Sequence, residues 1–309
     1  MTGAGATGRG APHHDGDGWV ECAQGHRHWG RSGAAGLLLH RAAPAGGQQE
    51  LLLQHRAEWS HHGGTWGLLG GARRSDETAV AAALREAREE SGLHPGPVQV
   101  NGRYDDDHGV WSYVTVLAEA VGDVGAHAAS GESVEVAWWP ADDLPALLHP
   151  GFAMTWPVLR DATTPLRVVV DAANVVGSRP DGWWRDRAGA ARRLIDGVAG
   201  LGERGVADSV LPDALHRAPL RRWWPHLVVV VEGAARVAAG DSQPSRGQVR
   251  VVAAPGSGDN AIVAAVADQA DASGPTLVVT ADRELRARCE ALGANTVGPR
   301  WLLELLEPR

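Results

Sequence analysis

The segment Gly71–Leu93 constrains the fold of this chain most, because it combines bounding glycines with closely spaced carboxylates. Glu86, Glu89 and Glu90 lie at positions i, i+3 and i+4, which share one face of an α-helix. Three like charges on one face repel one another unless a cation lies among them, and carboxylate oxygens are suitable ligands for Mg²⁺ or Mn²⁺. The spacing therefore predicts an acidic helix that holds a divalent cation.

Residues around the acidic cluster fit a helix with defined ends. Ser75 or Asp76 is expected to cap the amino terminus, and Gly92 is expected to end the helix. The alanines between them favour helix and allow close packing against a sheet. The alternative is a solvated helix with Arg–Glu pairs, but such a helix has no need of glycines at these offsets.

This segment resembles the Nudix box of the Nudix hydrolases, G-x5-E-x7-R-E-U-x-E-E-x-G-U, where U is a bulky apolar residue. Leu93 satisfies the last U, whereas Ala87 is small for the first. The resemblance covers roughly residues 17–160 and implies an α/β/α sandwich with a mixed sheet. It also implies metal-dependent hydrolysis of a pyrophosphate bond in a nucleoside diphosphate linked to another moiety. The seven matching fixed positions are Gly71, Glu77, Arg85, Glu86, Glu89, Glu90 and Gly92.

The resemblance implies a role for each of these side chains. Arg85 orients the carboxylates, while Glu89 or the loop acid Glu132 takes a proton from the attacking water. Glu132 is preferred to Glu135 because it follows Ser130-Gly131 in a loop. The expected metal set, for Mg²⁺ or Mn²⁺, comprises Glu86, Glu89, Glu90, Gly71 and Glu77.

Length and composition indicate a globular protein of two domains. The chain has 309 residues, of which 44% are hydrophobic and 21% charged. It contains no apolar run long enough for a membrane helix and no secretory signal, so a cytoplasmic location is expected. Residues 1–160 carry a net charge of −8, whereas residues 161–309 are neutral. We predict a disordered tail at 1–16, a Nudix domain at 17–160 and a second domain at 161–309.

The second half alternates apolar, β-branched runs with helical patterns, which is typical of a doubly wound parallel sheet. The predicted strands are 166–170, 227–231, 249–253 and 276–280, and the predicted helices are 186–201, 259–271, 282–292 and 299–307. Acidic residues follow several of these strands, where the sheet edge commonly binds ligands. Asp259 and Asp282 also begin helices, so helix capping is an alternative role for both.

The stretches VVVDAANVVGS, APGSGDNAIV and VVTADREL resemble PIN-like ribonucleases of the NYN type over roughly residues 166–300. The resemblance implies a metal site at Asp171, Asp259 and Asp282, with Asn174 beside it. Asn260 stands where that family often has a second acid, which weakens the expected metal set. This Rossmann-like domain is expected to act on or bind RNA.

Three functional hypotheses remain open at this stage. The first is a pyrophosphohydrolase that takes a small nucleotide substrate. The second is a metal-dependent ribonuclease with an accessory Nudix domain, and the third is a nucleotide sensor without turnover. Homodimers are frequent among Nudix enzymes, so a dimer is also open, whereas a membrane partner is not expected.

Cys22, His26 and His28 have the spacing of part of a metal knuckle. The sequence offers no obvious fourth ligand, and a structural zinc site needs four. We therefore do not expect a metal there. The only other cysteine, Cys289, lies far away in sequence, so no disulfide is expected either.

Overall fold

The structure is a computed structural model that describes residues 14–42, 48–94, 96–216, 218–241, 249–268 and 274–307. It divides into two compact units. Unit 1 comprises residues 1–96, 105–116 and 123–149, and unit 2 comprises residues 97–104, 117–122 and 150–309. Most of the predicted disordered tail lies outside the described residues. Residues 14–16 of that tail form hydrogen bonds, such as the one from Arg31 N to Gly16 O at 2.7 Å.

Unit 1 is built from short strands and one long helix. Two of its strands, β7 and β8, also contribute residues to unit 2. The elements are β1 (Trp19–Glu21), β2 (Arg27–Trp29), β3 (Ala34–Arg41), β4 (Glu50–Arg56), β5 (Trp66–Gly67), β6 (Leu69–Ala72), α1 (Ala79–Ser91), β7 (Val98–Asp107), β8 (Ser112–Ala120) and β9 (Ser133–Pro140).

Strand β3 is central to unit 1 because nearly all of its residues are buried. It pairs antiparallel with β6, where Ala35 lies opposite Gly71, and with β4. Strand β4 in turn pairs antiparallel with β5 and β9. Helix α1 packs against β3 and β6. The contact face of α1 is mostly alanine, including Ala82 and Ala83, which lets the helix backbone approach the sheet closely.

Unit 2 alternates strands with helices. Its elements are α2 (Pro150–Leu159), β10 (Arg167–Asp171), α3 (Ala172–Gly177), α4 (Arg187–Arg204), β11 (Val206–Ala207), β12 (Arg222–Trp223), β13 (His226–Val231), α5 (Val237–Asp241), β14 (Val249–Ala253), α6 (Gly258–Ala267), β15 (Thr276–Val279), α7 (Arg283–Glu290), β16 (Asn295–Val297) and α8 (Pro299–Leu306).

Five strands of unit 2 form a parallel sheet in the order β14-β13-β10-β15-β16. Val169, Val228 and Val278 pack with Ile262 of α6 and Leu285 of α7. Helix α4 packs against β13 and β14. The four predicted strands and the alternation with helices are confirmed, and the sequence analysis missed only the short edge strand β16 of this sheet.

Both cysteines, Cys22 and Cys289, are free and buried. Within the described residues, no helix combines the length and the apolarity needed to cross a membrane.

Candidate functional site

Helix α1 presents the acidic cluster and has a defined cap at each end. Its N-cap is Thr78, whose Oγ1 accepts a hydrogen bond from Ala81 N at 3.1 Å. The predicted cap, Ser75 or Asp76, was wrong, and the Ser75 hydroxyl instead donates to the Asp15 carboxylate. Gly92 ends the helix with φ of 63°, a left-handed conformation that suits glycine, as predicted.

Glu90 is the most buried of the three glutamates, with only 5% of its surface exposed. Gln54 Nε2 donates to both carboxylate oxygens at 3.1 Å, and Gly70 N donates to Oε2 at 2.7 Å. Burial raises the pKa of Glu90 to about 8, with a further contribution from the charge of Glu86, although these hydrogen bonds act in the opposite direction. The charge of Arg56 also lowers the pKa of Glu90, but it does not offset the effect of burial.

Gln54 is a site residue that sequence analysis missed. Its Nε2 also donates to Leu68 O at 3.0 Å, and its Oε1 accepts from Ser133 Oγ at 2.6 Å. These partners fix the orientation of the amide so that its N–H groups point at Glu90. The available signal was one polar residue directly after the apolar run Leu51–Leu53 in the same strand, β4.

Glu86 lies against the backbone of β6. A Cβ atom added to Gly71 would come within 2.7 Å of Glu86 Cδ, so the glycine provides the space that this carboxylate occupies. Burial raises the pKa of Glu86, and the charges of Glu89 and Glu132 add to this, while Arg85 lowers it. The negative charges of Glu89 and Glu132 therefore act on Glu86, and all three acids repel one another.

Arg85 connects the glutamates through its guanidinium group. Nε and Nη2 donate to the two oxygens of Glu77, each at 2.9 Å. Nη1 donates to Glu86 Oε1 at 2.7 Å and to Glu89 Oε2 at 3.2 Å. A bidentate Arg–carboxylate pair such as the one between Arg85 and Glu77 fixes the orientation of both side chains. Glu77 thereby holds Arg85, and the hydrogen bond with Glu77 is the main reason that the pKa of Arg85 is raised.

The two proposed proton acceptors are the more accessible acids. The side chain of Glu89 is 50% exposed and pairs only loosely with Arg74, at 3.9 Å. Glu132 is exposed in the loop before β9, and its backbone oxygen accepts from Ala57 N at 2.9 Å. Both can reorient toward a ligand, which the buried Glu90 cannot do.

These side chains fit a divalent cation chemically, although they are not arranged as a finished cage. In the described part of the chain there are two clusters of possible metal ligands in which all ligand atoms lie within 4.8 Å of one another. Neither cluster includes these glutamates. The site does contain two carboxylates, Glu86 and Glu90, whose pKa values are raised chiefly by burial. A hard cation is the compensation that such oxygens favour.

Both clusters lie in unit 1, and one of them is formed by His61, His62 and His149. His61 and His62 belong to the loop before the box. His149 lies far along the chain and was missed by the sequence analysis. Burial lowers the pKa of His149 to about 4, and the nearby His62 adds to the shift. This ring is therefore a neutral donor or acceptor at physiological pH.

In unit 2, the predicted residues Asp171 and Asn174 lie together at the carboxyl end of β10. Asp171 Oδ1 accepts from Asn174 N at 3.0 Å, and Oδ2 accepts from Thr280 Oγ1 at 2.9 Å. Asn174 Oδ1 accepts from Ala281 N at 2.8 Å, which ties the end of β10 to the end of β15. Burial raises the pKa of Asp171, and the charges of Asp259 and Glu232 add to the shift.

The other acids lie on adjacent segments. Asp282 is the N-cap of α7 and accepts from Leu285 N at 2.8 Å, so the alternative role of helix capping is confirmed for Asp282. The same alternative was wrong for Asp259, because the N-cap of α6 is Ser257. Burial raises the pKa of Asp259, and the charges of Asp282 and Glu232 raise it further. Asn260 accepts from Arg288 Nη2 at 2.7 Å instead of joining the acids.

Residues 33–161 match the NUDIX domain family. The chain is 48% identical over 163 residues to a putative 8-oxo-dGTP diphosphatase 3 of Mycobacterium tuberculosis, which covers 49% of this chain and 73% of that protein. It is also 48% identical over 136 residues to a nucleoside triphosphate pyrophosphatase/Nudix hydrolase fusion protein of Bifidobacterium longum. That second match covers 43% of this chain but only 28% of the fusion protein.

A solved Nudix hydrolase from M. smegmatis is 46% identical, with a TM-score of 0.45, over 48% of this chain and 95% of that one. These likenesses all concern about half of the chain or less. The domain match supports the predicted Nudix fold with its mixed sheet. Its span, together with 48% identity over most of a curated relative, shows that the chain belongs to the Nudix family of hydrolases.

Proposed function

We propose that unit 1 hydrolyses a pyrophosphate bond in a nucleoside diphosphate derivative. The observation that carries this proposal is the arrangement around Arg85, which joins Glu77, Glu86 and Glu89 beside the buried Glu90. Nudix hydrolases generally use divalent metal ions, and the electrostatics of these acids fit one.

In this proposal, Glu86, Glu89 and Glu90 hold Mg²⁺ or Mn²⁺ together with the backbone of Gly71. When bound, the cation would neutralise phosphate charge and make a water more acidic. Glu77 keeps Arg85 in place, and Arg85 orients Glu86 and Glu89. Glu89 or the loop residue Glu132 accepts the proton of the attacking water. Glu90 is held by Gln54 and Gly70, so it provides the fixed point of the metal set.

The first substrate to test is 8-oxo-dGTP, because the M. tuberculosis relative carries that name. ADP-ribose, dinucleoside polyphosphates and NADH complete the panel. With Mg²⁺ or Mn²⁺, the wild type should release a nucleoside monophosphate from at least one of them. Glu89→Gln and Glu90→Gln should lower kcat by orders of magnitude, whereas the matched control Glu203→Gln, at an exposed position on α4, should not. Turnover near wild type in both box variants would exclude the proposed mechanism.

We also propose that residues 161–309 form a PIN-like domain of the NYN type that binds or cleaves RNA. Support comes from the parallel sheet and from the acids at its carboxyl edge, where Asp171, Asp259 and Asp282 interact electrostatically. In a doubly wound sheet this edge, at the point where the strand order reverses, is the usual ligand site. Asn174 would position Asp171 or contact the ligand.

Paired variants separate the two sites. Asp171→Asn should abolish RNA cleavage and leave nucleotide hydrolysis intact, whereas Glu90→Gln should do the opposite. RNA cleavage that survives Asp171→Asn would exclude the second site. Binding of nucleotide with no product from any substrate would favour a sensor, and robust phosphate release would eliminate the sensor.

A further inference from the structure

A second cluster of ligands in unit 1 lies outside the proposed active site. The ligand atoms of Cys22, His26, His28 and His108 all lie within 4.8 Å of one another. His108 is the fourth ligand that the sequence did not reveal, since it lies in the turn between β7 and β8, far along the chain from the other three. We propose that these four side chains form a structural zinc site.

Cys22 and His26 lie in the tight turn that joins β1 to β2. Cys22 follows strand β1, and the turn closes through hydrogen bonds from Cys22 N to His26 O and from Gly25 N to Cys22 O, each of 2.9 Å. Gly25 has φ of 79°, which the tight turn requires.

In the described part of the chain, the rings of His28 and His108 each have one buried nitrogen atom without a partner. The ring of His28 stacks on Trp111, with centroids 4.0 Å apart and planes 14° apart. Within the described residues, His28 Nε2 and His108 Nδ1 are buried and make no hydrogen bond. Buried polar atoms usually have partners, so two orphans side by side indicate a missing ligand. The centroids of these two rings are 4.6 Å apart.

Asp106 orients His108 from the far side of its ring. Its Oδ2 lies 3.4 Å from His108 Nε2. A carboxylate on one ring nitrogen is the common arrangement behind a metal-bound histidine, because it leaves the other nitrogen for the metal. In this structure the other nitrogen is the orphaned Nδ1. His26 is exposed and offers a route of entry from solvent.

The donor set indicates which metal fits. One thiolate and three imidazoles suit Zn²⁺, which binds four such ligands tetrahedrally at about 2.3 Å to sulfur and about 2.0 Å to nitrogen. Those bonds place neighbouring ligand atoms about 3.3–3.8 Å apart. Side-chain rotations that move the ligand atoms by about 1 Å would bring them from their present spacing to the spacing of a zinc site. With four protein ligands there is no open position, so the site is structural.

A structural role also has a physical reason. The hairpin of β1 and β2 has only three residues in each strand, and a two-stranded hairpin of that size is marginally stable alone. The proposed metal joins this hairpin to the turn after β7. Trp29 O already accepts from Trp111 Nε1 at 3.1 Å across the same contact. Zinc would therefore fix the amino-terminal hairpin in unit 1.

The test is metal content and ligation of the full chain. Protein equilibrated with Zn²⁺ and passed through gel filtration in magnesium buffer should retain about one zinc per chain by plasma mass spectrometry, because four ligands hold one ion. Cys22→Ser and His108→Ala should lose it. The controls Cys289→Ser and the double variant His61→Ala, His62→Ala should retain it.

X-ray absorption on the zinc-loaded wild type gives a measurement that needs no variant. It should show one sulfur and three nitrogen ligands, even if Cys22→Ser fails to fold. Equal zinc in the wild type and Cys22→Ser, no retained zinc in the wild type, or a shell without sulfur would each overturn the proposal. Loss of zinc only in the His61→Ala, His62→Ala double variant would also overturn the proposal, because it would place the zinc at the other histidine cluster. None of these outcomes depends on nucleotide hydrolysis.

Discussion

Replacing Glu90 with glutamine tests the electrostatics of the buried carboxylate directly. In the metal-free protein, burial raises the pKa of Glu90 from 4.5 to about 8. The folded state therefore holds this proton more tightly than the unfolded chain does. The stability that this proton contributes is fully present below pH 4.5 and is lost as the pH rises toward 8. Glutamine mimics the neutral form and does not titrate.

The size of the effect follows from the shift. One pKa unit corresponds to about 1.4 kcal/mol, and Glu90 is almost fully buried, so solvent screening is small. Between pH 5 and pH 8, the wild type should lose roughly 3 kcal/mol of unfolding free energy that Glu90→Gln does not lose. The new amide must share partners with Gln54, which lowers the stability of Glu90→Gln by an amount that is independent of pH and therefore leaves this difference unchanged.

Urea unfolding in EDTA at several pH values between 5 and 8 measures the difference between the two proteins. Mg²⁺ or Mn²⁺ should then restore stability at pH 8 in the wild type but not in Glu90→Gln, because the cation takes the place of the proton. Glu203→Gln, at an exposed position, should follow the wild type. Parallel pH profiles for wild type and Glu90→Gln in EDTA would refute the reasoning, as would equal stabilisation of both by metal.

The glycines before α1 should separate function from stability. In Gly71→Ala the atoms nearest to the new methyl group belong to the side-chain carboxylate of Glu86, at 2.7 Å, so metal-dependent kcat should fall at least tenfold while the melting temperature stays near that of the wild type. In Gly70→Ala it meets the backbone of β3, with Gly36 Cα at 2.5 Å, so unfolding free energy should fall by roughly 1–3 kcal/mol, and equal melting temperatures for the two variants would contradict this contrast. Arg85→Lys keeps the charge but loses the paired hydrogen bonds to Glu77, so kcat should fall more than 10-fold in steady-state assays. An unchanged kcat would show that the paired hydrogen bonds from Arg85 to Glu77 are not needed to position the carboxylates of the site.

Local patterns were the part of this protein that the sequence made predictable. The existence of α1 and its end at Gly92 followed from helix chemistry, and four strands of unit 2 followed from their apolar runs. The helix start was missed by one turn, because Thr78, Ser75 and Asp76 are all good caps. The Ser75 hydroxyl instead donates a hydrogen bond to Asp15, 60 residues away in sequence, so it does not cap the helix.

The sequence by itself determined the acidic helix, its spacing and the alternation of strands and helices in the second half, because these depend on neighbours within a few residues. Tertiary structure alone decided that Gln54 faces Glu90, that Gly71 makes room for Glu86, and that His108 joins Cys22. Each of these pairs is separated by 15 residues or more and meets only when strands, turns and helix α1 pack together. No local periodicity encodes such a meeting, since it depends on strand order and register.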